Sequence, residues 1–204
     1  MKIAIIGRGS VGGALGAALA RAGHDVVFGV RAPGRADEAT NAQAASQSDA
    51  IILATPWPVT AQALTSCGSL GGKVVIDATN PLGMGPNGLE LDFPPEGSGA
   101  QMLAALAPGA RVVKCFNQTG FAAMGDAGAY ADRPAMMAAG DDEDARKLAL
   151  RLAGEIGFEA FDMGPLANAR LLEAYAMVWV ELAMKRGVGR DFAFAAIRPA
   201  RPTR

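Results

Sequence analysis

The stretch Lys2-Ile3-Ala4-Ile5-Ile6-Gly7-Arg8-Gly9-Ser10-Val11-Gly12, at the start of the chain, decides the fold. Its first five residues form a short apolar run, which predicts a buried strand. The next six fit the pattern G-x-G-x-x-G, and the run from Val11 to Ala22 has helical spacing. A second strand is predicted from Asp25 to Gly29. This order of strand, glycine-rich turn, helix and strand is typical of a dinucleotide-binding unit.

Each glycine of the turn has a separate predicted task. Gly7 allows the tight turn off the strand, and Gly9 lets a pyrophosphate approach the backbone with no Cβ in the way. Gly12 lets the helix pack closely on the sheet. The N–H groups at the start of the helix are then expected to face the phosphates.

The end of the second predicted strand bears on which dinucleotide is bound. An NAD site places Asp or Glu there, about 20 residues after the glycines, to accept hydrogen bonds from the ribose 2′-hydroxyl. This chain instead has Gly29-Val30-Arg31, with Arg35 four residues later. A guanidinium can pair bidentately with a 2′-phosphate, whereas a single arginine could equally be a solvated loop cation. Two arginines and no acid at this place favour NADP(H).

Composition limits the class of protein. The chain has 204 residues, of which 50% are hydrophobic and 19% charged, so it can bury one sizeable core. A net charge of −1 argues against a nucleic-acid partner or a membrane-surface partner. Cys67 and Cys115 match no metal spacing, which favours buried thiols and a cytoplasmic protein.

Strand and helix patterns alternate along most of the chain. Further strands are predicted at 50–54, 73–77, 111–116, 133–140 and 158–163. Helices are predicted between them at 36–47, 59–67, 100–106 and 142–155. This alternation predicts an α/β fold, a Rossmann-like doubly wound and mostly parallel sheet. Residues 1–163 would form the NADP-binding domain, and 164–204 a short helical extension that supplies an acceptor pocket, a dimer contact or both.

Two segments between the predicted elements need their own interpretation. Residues 83–99 are rich in Gly and Pro and too long for a simple connection, so we expect a loop that folds over the site. The acidic run 141–144 is the first turn of a helix, with Asp141 as its cap, so no metal site is predicted.

Polar residues follow three of the predicted strands. They are Thr55-Pro56-Trp57, Asn80-Pro81 and Asn117-Gln118-Thr119. Because the carboxyl ends of parallel strands line the ligand crevice, we place Thr55, Pro56, Asn80 and Asn117 among the cofactor-binding residues. Trp57 either covers the nicotinamide or shields the following helix, and the sequence leaves both roles open.

No residue is assigned to catalysis. Asp77 is a possible acid or base, but an aspartate at a strand end more often accepts from local backbone N–H groups. Lys114 either faces the site or extends along the strand to water, and we favour the second interpretation. His24 leaves a helix far from the strand ends.

The last predicted helix, 167–186, carries an apolar stripe. Its members are Leu171, Tyr175, Val178, Trp179 and Leu182. This face is expected to pack on the sheet or on a second subunit.

Several stretches together resemble one family, the NADPH-dependent reductases of 8-hydroxy-5-deazaflavin, also called F420-dependent NADP oxidoreductases. They are residues 7–12, Gly29-Val30-Arg31, Thr55-Pro56-Trp57, residues 75–82, residues 113–117, and Gly164-Pro165-Leu166-Ala167-Asn168-Ala169-Arg170. The resemblance implies a Rossmann domain with a small C-terminal extension, a homodimer, and hydride transfer between NADPH and a deazaflavin.

The resemblance also implies roles for individual residues. The turn Arg8-Gly9-Ser10-Val11 would hold phosphates, Arg31 and Arg35 the 2′-phosphate, and Pro56 and Asn80 would border the nicotinamide. Arg8 stands where the family usually has a small residue, and Val30 where it usually has serine.

We therefore expect an NADP-dependent oxidoreductase whose acceptor is a diffusible small molecule, either F420 or a flavin. Direct hydride transfer between two planar carriers needs little acid or base help, which agrees with the residues present. A reductase of a small imine or a 2-hydroxy acid, and a non-catalytic NADPH-binding sensor or subunit, are the alternatives.

Overall fold

A twisted eight-stranded sheet lies at the centre of the protein. The computed structural model describes residues 1–86 and 88–200, so Asn87 of the predicted loop and 201–204 of the predicted extension lie outside the described residues. The strands of this part are β1 (Lys2–Ile6), β2 (Asp25–Gly29), β3 (Glu38–Ala39), β4 (Ala50–Leu53), β5 (Val74–Asp77), β6 (Leu82–Gly85), β7 (Gly88–Leu91), β8 (Arg111–Lys114), β9 (Ala135–Gly140) and β10 (Glu159–Asp162).

The strand order of the main sheet is β10-β9-β8-β5-β4-β1-β2-β3. From β3 to β8 all neighbours are parallel, while β9 runs antiparallel to β8 and parallel to β10. The order reverses between β1 and β4, and the carboxyl ends of β1, β2, β4, β5 and β8 meet at one edge. Ligands bind at such a switch point in open α/β sheets.

Helices cover both faces of the sheet. They are α1 (Ser10–Arg21), α2 (Asn41–Ser46), α3 (Trp57–Thr65), α4 (Gly99–Leu106), α5 (Phe121–Gly125), α6 (Glu143–Glu155) and α7 (Ala169–Met184). Side chains alternate along β1, so Ile3 and Ile5 join the core under α1 and α6, while Ala4 and Ile6 join the core under α3 and α4. The predicted doubly wound, mostly parallel α/β fold is confirmed, with strand positions within about two residues of those expected.

The helix predicted at 36–47 is wrong in its first half. Glu38 and Ala39 form the edge strand β3 instead, because Phe28 and Val30 donate backbone hydrogen bonds to Asp37 and Ala39. Helix α2 starts only after Thr40, whose side chain accepts from the Gln43 backbone in a capping box.

The segment predicted as a loop at 83–99 contains the antiparallel hairpin of β6 and β7. Asp92 N–H donates to the carbonyl of Pro81 and closes the base of the hairpin. The alternation of small and large residues over so short a stretch was too weak to predict it from the sequence.

The cap of helix α6 differs from the prediction by one residue. Asp142, not Asp141, accepts from the backbone N–H of Ala145 at 2.8 Å. Asp141 accepts instead from Leu166 N–H and so holds the start of the C-terminal segment.

The apolar stripe predicted on the last helix is only partly buried. Helix α7 follows a 3-10 turn at Leu166–Asn168. Its buried apolar residues are Ala169, Leu172, Ala176, Trp179 and Ala183, of which only Trp179 was in the predicted stripe. Leu171 and Val178 are 58% and 50% exposed. Because the helix is apolar on most sides, its spacing alone could not show which face packs inward.

Candidate active site

The glycine-rich turn has the geometry expected of a phosphate-binding loop. Gly7 has φ of +100°, and a Cβ there would lie 2.8 Å from the carbonyl oxygen of Ala54. A Cβ at Gly12 would lie 2.1 Å from the carbonyl oxygen of Gly7, so the helix packs against the turn without room for a side chain. Around Gly9, by contrast, a Cβ would meet no atom within 4 Å. This open space in front of the first turn of α1 is the shape that a pyrophosphate needs.

A cleft of about 710 Å³ extends from this turn along the carboxyl edge of the sheet. Its walls are residues 6–9, residues 29–32, residues 54–56, Asn41 and one face of α3. The volume is within the usual range for small-molecule sites. Of the predicted site residues, Gly7, Arg8, Gly9, Arg31, Thr55 and Pro56 line it.

The end of the cleft at the carboxyl terminus of β2, which we call the adenosine end because Rossmann folds bind the adenosine ribose there, carries the predicted arginines. Arg31 lines the cleft, whereas Arg35 lies outside it with a side chain that is 68% exposed. Glu38, which the sequence analysis did not assign to the site, lies beside them on β3. Its Oε2 accepts from the backbone N–H groups of Gly34 and Arg35 at 3.0 and 3.2 Å.

Arg8 connects the glycine-rich turn with this end of the cleft. Its Nη1 donates to Asp37 Oδ1 at 2.7 Å and to Glu38 Oε1 at 3.0 Å, and its guanidinium lies 4.3 Å from the centroid of the Phe28 ring. The hydrogen bond with Asp37 raises the pKa of Arg8 and lowers the pKa of Asp37. Backbone donation from Gly34, followed by the charge of Arg8, lowers the pKa of Glu38. These groups are therefore charged at neutral pH.

At the other end of the cleft, Thr55 and Pro56 follow β4. Thr60 Oγ1 donates to the carbonyl of Pro56 at 3.0 Å, so in the 2.9 Å contact between the two hydroxyls Thr55 must be the donor. The start of α3 therefore fixes the orientation of the hydroxyl groups of Thr60 and Thr55. Trp57 packs its ring against Gly99 at the start of α4, which fits the shielding role more closely than a place over the nicotinamide.

Asn80 and Asn117 form a reciprocal pair after β5 and β8. Asn80 Nδ2 donates to the Asn117 carbonyl at 2.8 Å, and Asn117 Nδ2 donates to Asn80 Oδ1 at 2.8 Å. Asn117 Nδ2 also donates to Leu172 in α7, and its Oδ1 accepts from Gln118 Nε2 at 2.6 Å. Phe116, just before the pair, has φ of +60°, a strained conformation for a bulky residue. Asn117 is thus held entirely by the protein, while Asn80 keeps one amide hydrogen free of these contacts.

A buried cluster of Lys114, Asp77 and Glu173 lies directly behind this pair. Lys114 Nζ donates to Asp77 Oδ2 and to the Thr79 carbonyl, both at 2.7 Å, and forms a salt bridge with Glu173 Oε1 at 2.8 Å. The side chains of Lys114, Asp77 and Glu173 are 0% exposed. The interpretation that Lys114 extends to water is therefore wrong, because its partners all lie inside the protein.

The same cluster explains the other two carboxylates. Asp77 Oδ1 accepts from the N–H and hydroxyl of Thr79, which confirms the local role favoured for it. Glu173 of α7 accepts from the N–H groups of Gly99 and Ala100 and so caps α4. The sequence analysis did not predict its partners, although a lysine within an apolar strand and an acid on the apolar side of a helix are the kinds of residue that form buried pairs.

Other titratable groups lie apart from the cleft. His24 Nε2 contacts Glu155 Oε2 at 2.8 Å on the outer side of α6. Burial raises the pKa of the Cys67 thiol to about 11 and that of the Cys115 thiol to about 12. In residues 1–86 and 88–200, no group of three or more His, Cys, Asp or Glu residues is placed to hold a metal ion. None of the helices in this same part is long and apolar enough to span a bilayer.

Comparison with known proteins agrees with this geometry. The family model described as NADP oxidoreductase, coenzyme F420-dependent, matches residues 2–81. The F420-dependent NADP reductase of Methanocaldococcus jannaschii is 30% identical over 213 residues, which cover 91% of this chain and 93% of that one. The structure of a candidate F420-dependent NADP-reductase from Arthrobacter sp. FB24 has a TM-score of 0.86 and 29% identity, and covers 97% of this chain and 100% of that one.

A second relative is larger. The metalloreductase STEAP3 of Rattus norvegicus is 29% identical over 181 residues, which cover 85% of this chain but only 36% of STEAP3. The match to the Methanocaldococcus reductase spans nearly the whole of both chains, and it confirms the predicted class of enzyme, an oxidoreductase that uses NADP and F420. The chain therefore belongs to the family of coenzyme F420-dependent NADP oxidoreductases.

Proposed function

We propose that the protein transfers hydride directly between NADP(H) in the cleft and a planar F420 or flavin ring held at the carboxyl ends of β4, β5 and β8. NADPH, when bound, supplies the hydride, and the protein supplies position and the exclusion of water. The observation that carries the proposal is the cleft beside the glycine-rich turn. At the neighbouring strand ends, the amide side chains are held in place by hydrogen bonds, and the buried charged side chains pair with one another.

The phosphate-binding part of the proposal rests on the turn. The first N–H groups of α1, at Ser10, Val11 and Gly12, precede the hydrogen-bonding range of the helix and are therefore available to an anion. They face the space that is left open at Gly9. Arg31 then receives the 2′-phosphate at the adenosine end, with Arg35 as a second, more exposed cation.

Positioning residues dominate the nicotinamide end. The free amide hydrogen of Asn80 is suited to the carboxamide oxygen, and Pro56 and Thr55 form the adjoining wall of the cleft. Asn117 acts through Asn80 rather than on the cofactor, since its own side chain is saturated by Asn80, Leu172 and Gln118. Such a site can orient a ring without changing its own protonation.

Asp77 and Lys114 form a salt bridge with each other behind the site and are 0% exposed. A general acid or base must reach the reacting group by hydrogen bond, directly or through one water. This buried pair is not in such a position. This favours an acceptor that takes hydride without needing a proton from the protein at the same moment.

The assay that tests the proposal follows NADPH oxidation at fixed enzyme concentration with F420, FMN, FAD, a ferric chelate, and a small imine and ketone as acceptors. We expect F420 to give the highest kcat/KM and the purified protein to contain no stoichiometric flavin. Rapid reduction of the imine or ketone would contradict the proposal, and so would tight NADPH binding without turnover of any acceptor.

The similarity to STEAP3, a metalloreductase, makes reduction of a metal ion the second candidate. It predicts fast NADPH oxidation with the ferric chelate and little with F420. The same assay separates the two, because F420 and the chelate are compared in a single preparation.

A homodimer belongs to the same proposal. Helix α7, β7 and Arg186 form a mostly apolar groove of about 420 Å³, lined by Leu91, Ala174, Met177, Val178, Leu182 and the charged residues Glu181 and Arg186. We infer that a second copy covers it, in agreement with the family resemblance. Light scattering should show a dimer for the wild type and a monomer for Val178→Glu. Leu106→Glu, at an apolar residue of α4 that is 44% exposed, is the matched control and should remain dimeric.

The division into an NADP-binding domain at 1–163 and an extension at 164–204 is also proposed. Two contacts support a role of the extension in the site, since Leu172 and Glu173 of α7 contact Asn117 and Lys114. The extension would thus complete the acceptor side of the site.

A further inference from the structure

We propose that Arg8 is a specificity-determining residue that binds the 2′-phosphate of NADP, and that Asp37 and Glu38 hold it in place for that purpose. The inference rests on the proposed function, because it assumes that NADP is the cofactor in the cleft. It assigns to Arg8 a different phosphate from the pyrophosphate that its place in the glycine-rich turn suggests.

The direction of the Arg8 side chain carries the first step. Although Arg8 lies between Gly7 and Gly9, its guanidinium reaches Phe28 of β2 and Glu38 of β3. It therefore lies at the end of β2, where the cleft is lined by Gly29, Val30 and Arg31. In a Rossmann fold this is the place of the adenosine ribose, and so of its 2′-substituent.

The donors of the guanidinium carry the second step. The hydrogen bonds to Asp37 and Glu38 both start from Nη1. Within the described part of the chain, Nε and Nη2 make no such bond to the protein, although the side chain is only 25% exposed and lines the cleft. A guanidinium fixed on one side and open on the other can take a phosphate through its remaining N–H groups.

The two acids hold the guanidinium in this position. The hydrogen bond from Arg8 lowers the pKa of Asp37, so this carboxylate stays ionised at neutral pH and holds the guanidinium over the Phe28 ring. A side chain ordered before binding loses less entropy when the phosphate arrives.

Glu38 does not turn the pocket into an NAD site. Both oxygens of Glu38 already accept from the protein, Oε2 from Gly34 and Arg35 and Oε1 from Arg8, and its side chain is only 10% exposed, so it is directed at these groups rather than at a ribose. With Arg31 and Arg35 included, three arginines face two carboxylates, which leaves a net charge of +1 for the phosphate to meet. The two acids therefore fix the position of Arg8 without cancelling the net positive charge of the site.

Dissociation constants of the wild type, Arg8→Met and Asp37→Asn test the inference. They are measured for NADPH and NADH, and for adenosine 2′,5′-bisphosphate and 5′-AMP. For Arg8→Met we expect a loss of about tenfold or more for NADPH and for the bisphosphate, with NADH and 5′-AMP changed by less than about twofold. Asp37→Asn should weaken NADPH by about threefold, because Glu38 still holds the guanidinium.

Arg151→Met is the matched control, since Arg151 pairs with Glu155 on the surface of α6 and should leave all four constants unchanged. Equal losses for NADPH and NADH in Arg8→Met would overturn the inference and assign Arg8 to the pyrophosphate. Unchanged NADPH binding would overturn it as well. F420 reduction by the wild type is measured in the same preparation, so a failure of the proposed function is seen separately from a failure of Arg8.

Discussion

Two charged clusters of opposite design lie beside the cleft. At the proposed adenosine end, Arg8 and Asp37 have side chains that are 25% and 45% exposed. Behind Asn80 and Asn117, where we propose that the nicotinamide binds, Asp77, Lys114 and Glu173 are 0% exposed. Exposed pairs contribute little to stability because water screens them, whereas buried charges are costly unless every one is paired.

This difference separates binding from positioning. A partly exposed guanidinium can exchange water for a phosphate at small cost, so the adenosine end is suited to recognise an anion that comes and goes. The buried cluster cannot open without leaving charges unpaired, and it joins β5, β8, α4 and α7 at one point. It therefore holds Thr79 and the adjoining Asn80 in a constant position.

The largest effect is expected from removing the central charge of the buried cluster. Lys114→Met leaves Asp77 and Glu173 buried without their cation, so the free energy of unfolding should fall by about 3–5 kcal/mol. Urea denaturation followed by circular dichroism measures it.

The matched control is Lys147→Met, which removes the surface pair with Glu143, whose side chains are 64% and 67% exposed. Its unfolding midpoint should stay close to that of the wild type. Equal shifts for the two variants would show that burial does not distinguish the two kinds of ion pair.

The two buried thiols test whether the interior of the protein stays closed to reagents. Cys115 follows Lys114, and burial raises its pKa to about 12, while Cys67 near the cleft has a pKa of about 11. Both thiols are thus protonated at pH 8, so iodoacetamide should label the native protein at least about 100-fold more slowly than the unfolded protein. Peptide mass spectrometry assigns the labelled residue. Rapid labelling of Cys115 in the native wild type would show that the nicotinamide end opens readily.

At the adenosine end the expected effect is on binding rather than stability. Arg31→Ala should weaken NADPH by about tenfold or more and leave NADH nearly unchanged, because it removes a charged partner of the 2′-phosphate alone. Arg35→Ala is the comparison, with a smaller loss expected because this side chain lies outside the cleft. Titration of intrinsic fluorescence gives both constants. Equal losses for NADPH and NADH would remove Arg31 from the 2′-phosphate site.

The sequence was sufficient for what depends on local pattern. The glycine-rich turn, the parallel strands and the ends of those strands were predicted because apolar periodicity and glycine spacing act over a few residues. It was insufficient where a distant element decides. Glu38 forms an edge strand because β2 offers it a partner, and the buried Lys114 is paired with Asp77 and with Glu173, which both lie far from it in the sequence.

Long-range strand pairing also explains why the acids at the adenosine end were not predicted. In an NAD site the acid is expected within the sequence at the end of β2, whereas Glu38 is brought there by the neighbouring strand β3. Pairing between strands is a long-range event, and a helical pattern at 36–47 concealed it. Residues 37–38 were therefore visible in the sequence but placed on the wrong element.

The smallest effect is expected when the pH is lowered around the exposed pair of Arg8 and Asp37. The hydrogen bond from Arg8 lowers the pKa of Asp37, so the folded state is favoured while this carboxylate is ionised. That contribution is complete above the ordinary aspartate pKa of about 3.9 and is lost as the pH falls through the lowered value. Asp37→Asn should thus unfold slightly more easily than the wild type at pH 7, and the two should converge near pH 2. Thermal unfolding at both pH values measures the difference, and a gap that widens in acid would mean that Asp37 does not stabilise the fold through its charge.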